Sequence, residues 1–295
     1  MKPVRKMFLR TISNHDFMNN FLKRTLSGVG FALIMSAALL LNKYMFGAVM
    51  LFCLIVMMRE FLGMTCGTDY RFSQILSILA GSTLFTLVYL YRGFNIPGRL
   101  VILAFIPVFL LMVNSLYVKD KTRFDKFSNL YAAVLYIAVP WSLLNFAVFN
   151  AEGDFNGILL LAFFLIIWSS DVGAYIFGIT LGQKYGKKLF PSISPKKSWI
   201  GFWGGMATAV GASVVLHYTN LLPFDLIHCI VISILLDVTG VYGDLIESQW
   251  KRHYEVKDSG TIIPGHGGLL DRFDSALIAI PIGIIYLVLW NVLFV

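Results

Sequence analysis

Residues 158–181 read ILLLAFFLIIWSSDVGAYIFGITL, twenty-four positions with one charged side chain, Asp171. A helix needs about 20 apolar residues to cross roughly 30 Å of hydrocarbon, so this stretch is a membrane span. Runs of the same kind recur on both sides of it, and we expect nine helices, at 25–41, 44–58, 74–91, 100–118, 128–148, 158–181, 200–216, 223–241 and 276–294. The second is short, and Asn42 and Lys43 leave room only for a tight hairpin or a re-entrant pair. The expected fold class is an all-α integral membrane protein, a bundle of nine transmembrane helices.

Composition agrees. Charged residues make up 14% of the 295 and hydrophobic ones 58%, with a mean hydropathy of +0.75, where soluble domains carry about 25% charge. Length alone suggests about two soluble domains, but no long polar insert separates the runs, so we expect a basic segment at 1–24 and one polytopic membrane domain over 25–295. The net charge of +8 is of the kind that sets membrane orientation and faces anionic lipid, and nucleic acid is not an expected partner. Cys53, Cys66 and Cys229 form no C-x-x-C pair, which argues against a zinc or disulfide framework. Lys2, Arg5, Lys6, Arg10, Lys23 and Arg24 precede the first run, a flank longer than the basic region of a cleaved signal peptide. The first run is therefore expected to be retained.

With the N-terminus placed in the cytoplasm and sides alternating, 21 of the 24 Lys and Arg residues fall inside, leaving Lys43, Arg92 and Arg99 outside. The positive-inside bias predicts an inward N-terminus and an outward C-terminus.

The charge that remains is concentrated in two segments, 169–201 and 242–275. If the eighth helix continues beyond the membrane surface, Asp244, Glu247, Ser248 and Lys251 stand at i, i+3, i+4 and i+7 and share a face. Asp271, Asp274 and Ser275 repeat the spacing at the start of the ninth helix. Two oxygen clusters suit a hard cation such as Mg²⁺ alongside substrate phosphates, although carboxylates at a helix start are also good caps. Between them Pro264-Gly265-His266-Gly267-Gly268 excludes regular helix and offers backbone N–H groups to an anion. His266 has two readings, a phosphate or proton-transfer contact and a residue that holds the turn. Counting inward from Ile158, Asp171 lies about 20 Å into the slab, and an ionisable group at that depth reads as functional; Asp237 is a second such residue, two turns before Asp244. Lys184, Lys187 and Lys188 need no more than the positive-inside bias, and the segment around them is not a P-loop. Gly201, Gly204, Gly205 and Gly211 are read as close helix packing.

The run from Ser248 to Asp274 resembles the signature of phosphatidate cytidylyltransferases, S-x-[apolar]-K-R-x4-K-D-x-G-x2-[apolar]-P-G-H-G-G-[apolar]-x-D-R-[apolar]-D, without a gap. Asp171-Val172-Gly173-Ala174-Tyr175 and Ser194-Pro195-Lys196-Lys197-Ser198 resemble two further segments of that family in the same order. The resemblance covers the C-terminal half well and the N-terminal spans only in general character. Two positions depart from it: Ile200 stands where the family usually has Glu, and Trp250 where an aliphatic residue or Phe is usual.

What the resemblance implies is a divalent-metal-dependent reaction of CTP with phosphatidate, giving CDP-diacylglycerol and pyrophosphate, in the cell (inner) membrane with the site facing the cytoplasm. It implies Asp244 and Asp271 as catalytic metal ligands for Mg²⁺, with Asp171, Glu247, Asp258 and Asp274 in support. Lys251 and His266 join the catalytic set, and Lys196, Lys197, Ser198, Ser248, Arg252, Lys257, Gly267, Gly268 and Arg272 the substrate-binding set. The expected partners are CTP, phosphatidate and membrane lipid, and a homodimer is compatible with the family. Two other readings stand beside this one: a CTP-dependent enzyme acting on another lipid, and an ion-coupled transporter using Asp171 and Asp237. Transporter sites lie near the midplane on broken helices, whereas the charge here sits in the inner loops.

Overall fold

A computed structural model describes residues 14–118, 124–263 and 267–290, with side chains from residue 27 onward. Nine long helices account for nearly all of it: α1 (Asn14–Leu40), α2 (Lys43–Cys66), α3 (Arg71–Phe94), α4 (Gly98–Tyr117), α5 (Phe124–Val148), α6 (Ile158–Tyr185), α7 (Trp199–Tyr218), α8 (Leu226–His253) and α9 (Leu270–Leu289). By length and apolar composition, α2 to α9 can each cross a membrane. The protein is thus a helical multi-pass membrane protein, with boundaries that differ from expectation in places that matter.

The first difference is at the hairpin. Asn42 accepts a hydrogen bond from the Met45 N–H at 2.9 Å and caps α2, so the tight hairpin is the form adopted. The helix then runs through Arg59 and Glu60 to Cys66, two turns beyond the expected end at 58, before Gly67 turns away with φ 61. Local charge ended the apolar run, but the backbone had no reason to stop there.

In α5 the ladder opens into a π-turn over Val134–Ala138. Pro140 follows, and its missing N–H leaves the Tyr136 carbonyl without an ordinary helical donor. Behind it, Trp141 packs edge-on against Phe273 of α9 at 4.8 Å and donates from Nε1 to the Met50 carbonyl of α2 at 2.9 Å. This contact ties the N-terminal helices to the last one.

A hairpin, β1 (Lys188–Phe190) and β2 (Ser194–Ser198), interrupts the segment between α6 and α7. The sequence reading did not anticipate it. Gln183 donates to the Lys196 carbonyl at 2.7 Å, and Ser198 ends the hairpin as the N-cap of α7, accepting from the Gly201 N–H at 3.1 Å.

Helices α6 and α7 pack through small residues, as expected. A Cβ added at Gly204 would run into Phe177, and one at Gly173 into Thr208. Thr208 in turn donates to the Ser169 carbonyl at 2.9 Å.

At 28 residues, α8 is about 42 Å long at 1.5 Å per residue. That exceeds the hydrocarbon thickness, so its last turns, with Lys251, Arg252 and His253, project past it. Where α8 crosses α9, Gly243 lies against the backbone of Asp274 and Ser275. Any side chain at 243 would force the two acidic helices apart.

Candidate active site

The continuous α8 puts Asp244, Glu247, Ser248 and Lys251 on one face, and the Gly243 crossing brings that face to the first turns of α9. Ser248 Oγ donates to Asp244 at 3.1 Å. Lys251 Nζ donates to Glu247 one turn back and, at 2.7 Å, to Asp271 of α9. Glu247 is fully buried and reaches solvent nowhere; one of its oxygens, Oε1, has no hydrogen-bond partner among the described residues.

Asp271 organises the loop between the helices. It accepts from the Ser259 N–H and Ser259 Oγ, both at 2.9 Å, and from the Gly268 N–H at 2.8 Å. Gly267 makes this approach possible with a left-handed φ of 85. Pro264, Gly265 and His266, at the tip, lie outside the described residues, and with them the assignment of His266.

Two cavities flank the acidic helices, and Asp171 lines both. The larger, about 480 Å³, is lined by Asp171, Lys196, Lys197, Ser198, Asp244 and Ser275, with an apolar wall that includes Tyr175, Ile179 and Phe202. Lys197 Nζ sits 2.6 Å from Asp244 at its mouth. The smaller, about 270 Å³, is lined by Asp171, Asp271, Arg272 and Asp274 together with Trp168 and the Ser27–Ala32 turn of α1. Segments far apart in the chain therefore line the same pair of cavities; helical spacing bore only on the Asp244 and Asp271 clusters, and the segment around Lys196 and Lys197 entered through the family resemblance.

Other assigned residues lie elsewhere. Arg252 is exposed and donates to the Ile193 and Val256 carbonyls at 3.4 Å. Lys257 and Asp258 are exposed on the loop, and neither lines the two cavities. Asp237 is buried and takes a hydrogen bond from Ser170, and its second oxygen has no hydrogen-bond partner among the described residues.

One residue of the site escaped the sequence reading. Glu60, from the unexpected extension of α2, accepts from the Leu270 N–H at 2.9 Å across 210 residues of sequence. It supplies the cap that Leu269, the N-cap residue of α9, does not. The available signal was a lone carboxylate beside Arg59 in an otherwise apolar stretch.

As a holder of Mg²⁺ the residue set is incomplete but suitable. Among the described residues no three His, Cys, Asp or Glu side chains converge into a cage. Mg²⁺, however, commonly takes only one or two carboxylates, with water and substrate phosphates completing its octahedron. Asp171, Asp244 and Asp274 come from three helices and lie within electrostatic range of one another, and each lines a cavity. A cation would relieve their mutual repulsion. Asp271 is less open, because its oxygens already serve four donors.

These features define a polytopic membrane protein with a mixed acidic and basic polar site at one end of its bundle. The chain belongs to the cytidylyltransferase family, whose profile matches residues 22–290. It is 39% identical to a protein of Bacillus subtilis (strain 168) named phosphatidate cytidylyltransferase, over 180 residues, 61% of this chain and 65% of that one. A Staphylococcus haemolyticus (strain JCSC1435) protein of the same name is 39% identical over 158 residues, 54% of this chain and 60% of its own length. One from Staphylococcus aureus (strain COL) is 37% identical over 158 residues, with the same coverage of both. The matched region thus spans just under two thirds of each of these relatives.

Proposed function

We propose that this protein transfers a cytidylyl group from CTP to phosphatidate, giving CDP-diacylglycerol and pyrophosphate, in the cell (inner) membrane with its site toward the cytoplasm. The observation that carries this reading is the pair of cavities that share Asp171 in their walls: one has an apolar wall fit for a lipid and both have cations and carboxylates fit for phosphates. Membership of the family and the names of the similar proteins support it.

In the reaction an oxygen of the phosphatidate phosphate attacks the α-phosphorus of CTP, and the bond to the bridging oxygen breaks as pyrophosphate leaves. The nucleophile is already an anion, so the protein has to bring two polyanions together and offset the charge on the leaving group. Lys196 and Lys197 at the mouth of the larger cavity would orient the lipid phosphate. Arg272, on the smaller cavity, would face the nucleotide phosphates. Lys251 fixes the distance between α8 and α9 through Glu247 and Asp271, and Gly268, whose N–H is given to Asp271, acts by holding the loop and not by contacting a phosphate. Asp244 and Asp274, with Asp171 beside them, would hold Mg²⁺. A bound Mg²⁺ would polarise the phosphoryl oxygens and neutralise the leaving pyrophosphate.

Purified protein given labelled CTP and phosphatidate should form a labelled CDP-lipid and release one pyrophosphate per turnover. Product only with another lipid acceptor, or none at all, would overturn the reading.

A further inference from the structure

We propose that Glu60 is a positioning residue for the site loop: its carboxylate, delivered by α2, clamps Gly260, Gly268 and Leu270 against the N-terminal half of the bundle and so sets the position of Asp271. The inference rests on the cytidylyltransferase reading of this site and adds a contribution from the half of the chain that carries none of the signature.

Three contacts converge on this one side chain. Glu60 Oε2 accepts from the Leu270 N–H at 2.9 Å, which fixes the first residue of α9. A Cβ built on Gly260 would meet Glu60 Oε1, Cδ and Cγ as its three nearest atoms, so the loop backbone lies directly on the carboxylate. A Cβ on Gly268 would strike Glu60 Oε2 as well as Ser259 Oγ. Asp271 gathers the Ser259 and Gly268 N–H groups of the same backbone. The loop is thus held between two carboxylates, one from α2 and one from α9, and the two glycines are the points at which it is thin enough to fit. Asp271 directly follows Leu270, so loss of the Glu60 cap loosens the residue to which Lys251 is bonded. Negative charge at a helix N-terminus is also favourable in itself.

The steric observation gives a test that a generally structural residue would not pass. Amide hydrogen exchange over 257–270 is measured in detergent for wild type, Glu60→Ala, Glu60→Gln, Gly260→Ala and the double variant Glu60→Ala/Gly260→Ala, together with turnover. Glu60→Ala should raise loop exchange on the order of tenfold or more, while α6 and α7 exchange as in wild type. Glu60→Gln keeps an acceptor for Leu270 and should stay within about threefold. Gly260→Ala alone should loosen the loop, because its new methyl meets the carboxylate; in the Glu60→Ala background the same substitution should add little. Such coupling between contacting residues is the ordinary signature of a shared interaction. Unchanged loop exchange in Glu60→Ala, or full additivity of the two substitutions, would overturn the proposal. If Glu60→Ala is not monodisperse, Gly260→Ala decides alone, and wild-type exchange there overturns it. Loop exchange is read without substrate, so failure of the clamp is distinguishable from failure of the reaction assigned to the site.

Discussion

Lys251 Nζ lies 2.7 Å from Asp271 while also donating to Glu247, so a single ammonium ties the last turns of α8 to the first turn of α9. Both carboxylates are nearly or fully buried. Removing the cation leaves two anions facing each other out of water, which costs on the order of 3–5 kcal/mol for a buried pair. Lys251→Met should therefore lower the unfolding midpoint in detergent and reduce turnover at least about a hundredfold. Adding Glu247→Gln should recover part of the thermal loss, by removing one stranded charge, and little of the activity. An unchanged midpoint in the single variant would show that the triad does not hold the helices together.

Orientation rests on charge counting and calls for its own test. Cys53, Cys66 and Cys229 are buried, so an introduced cysteine is the dominant target of an impermeant maleimide. Ser259 is a poor site for one, being buried with its N–H and Oγ bonded to Asp271. Thr261 on the same loop and Glu152 between α5 and α6 are both exposed. In intact cells Glu152→Cys should label and Thr261→Cys should label only after permeabilisation. The reverse pattern would place the site on the outer side.

Ile200 stands in the first turn of α7, beside Ser198 and Gly201 of the larger cavity, where the resembling family has a carboxylate. If the protein turns over with an apolar side chain there, no obligatory metal ligand is missing. Ile200→Glu should then change turnover by less than about tenfold, equivalent to about 1.4 kcal/mol. A hundredfold gain would mean that the native chain is catalytically impaired.

How much of this was legible in advance depended on whether the information was periodic. The shared face of Asp244, Glu247 and Lys251 followed from helical spacing, and close packing of α7 followed from Gly201, Gly204 and Gly205, though its partner α6 did not, and Gly211 faces open space. Apolar runs located the spans but not their ends: Arg59 and Glu60 broke the run at the second span, whereas the helix continued because its hydrogen bonds do not depend on hydropathy. That is why Glu60 was missed, since its partner Leu270 lies 210 positions away and no local pattern links them. The β1–β2 hairpin was missed for another reason. Its five-residue second strand, Ser-Pro-Lys-Lys-Ser, has no alternation of apolar and polar residues to read. The pairing of Lys197 with Asp244 is likewise a product of packing between separate helices.

Asp244 and Asp271 were assigned the same role from sequence, and the structure gives a means of separating them. Asp244 contacts Lys197 and Ser248 at the larger cavity, whereas Asp271 serves four donors that shape the loop. Asn at either position keeps the shape and loses the charge. A carboxylate that holds a metal contributes several kcal/mol to the transition state, so Asp244→Asn should lose on the order of a hundredfold or more in CDP-diacylglycerol formation. Asp271→Asn should lose a comparable amount for a different reason, because the loop and the Lys251 contact it holds are released. Their physical behaviour should differ. Asp271→Asn turns an amide NH₂ toward groups that themselves donate, and it should increase exchange over 257–270 and lower the unfolding midpoint. Asp244→Asn should leave both near wild type and should respond to added Mg²⁺ with partial recovery. Near wild-type turnover in monodisperse Asp244→Asn would reject the metal-site assignment. Equal loss of activity with loop loosening only in Asp271→Asn would identify Asp244 as the residue at the phosphates and Asp271 as the one that holds the loop over them.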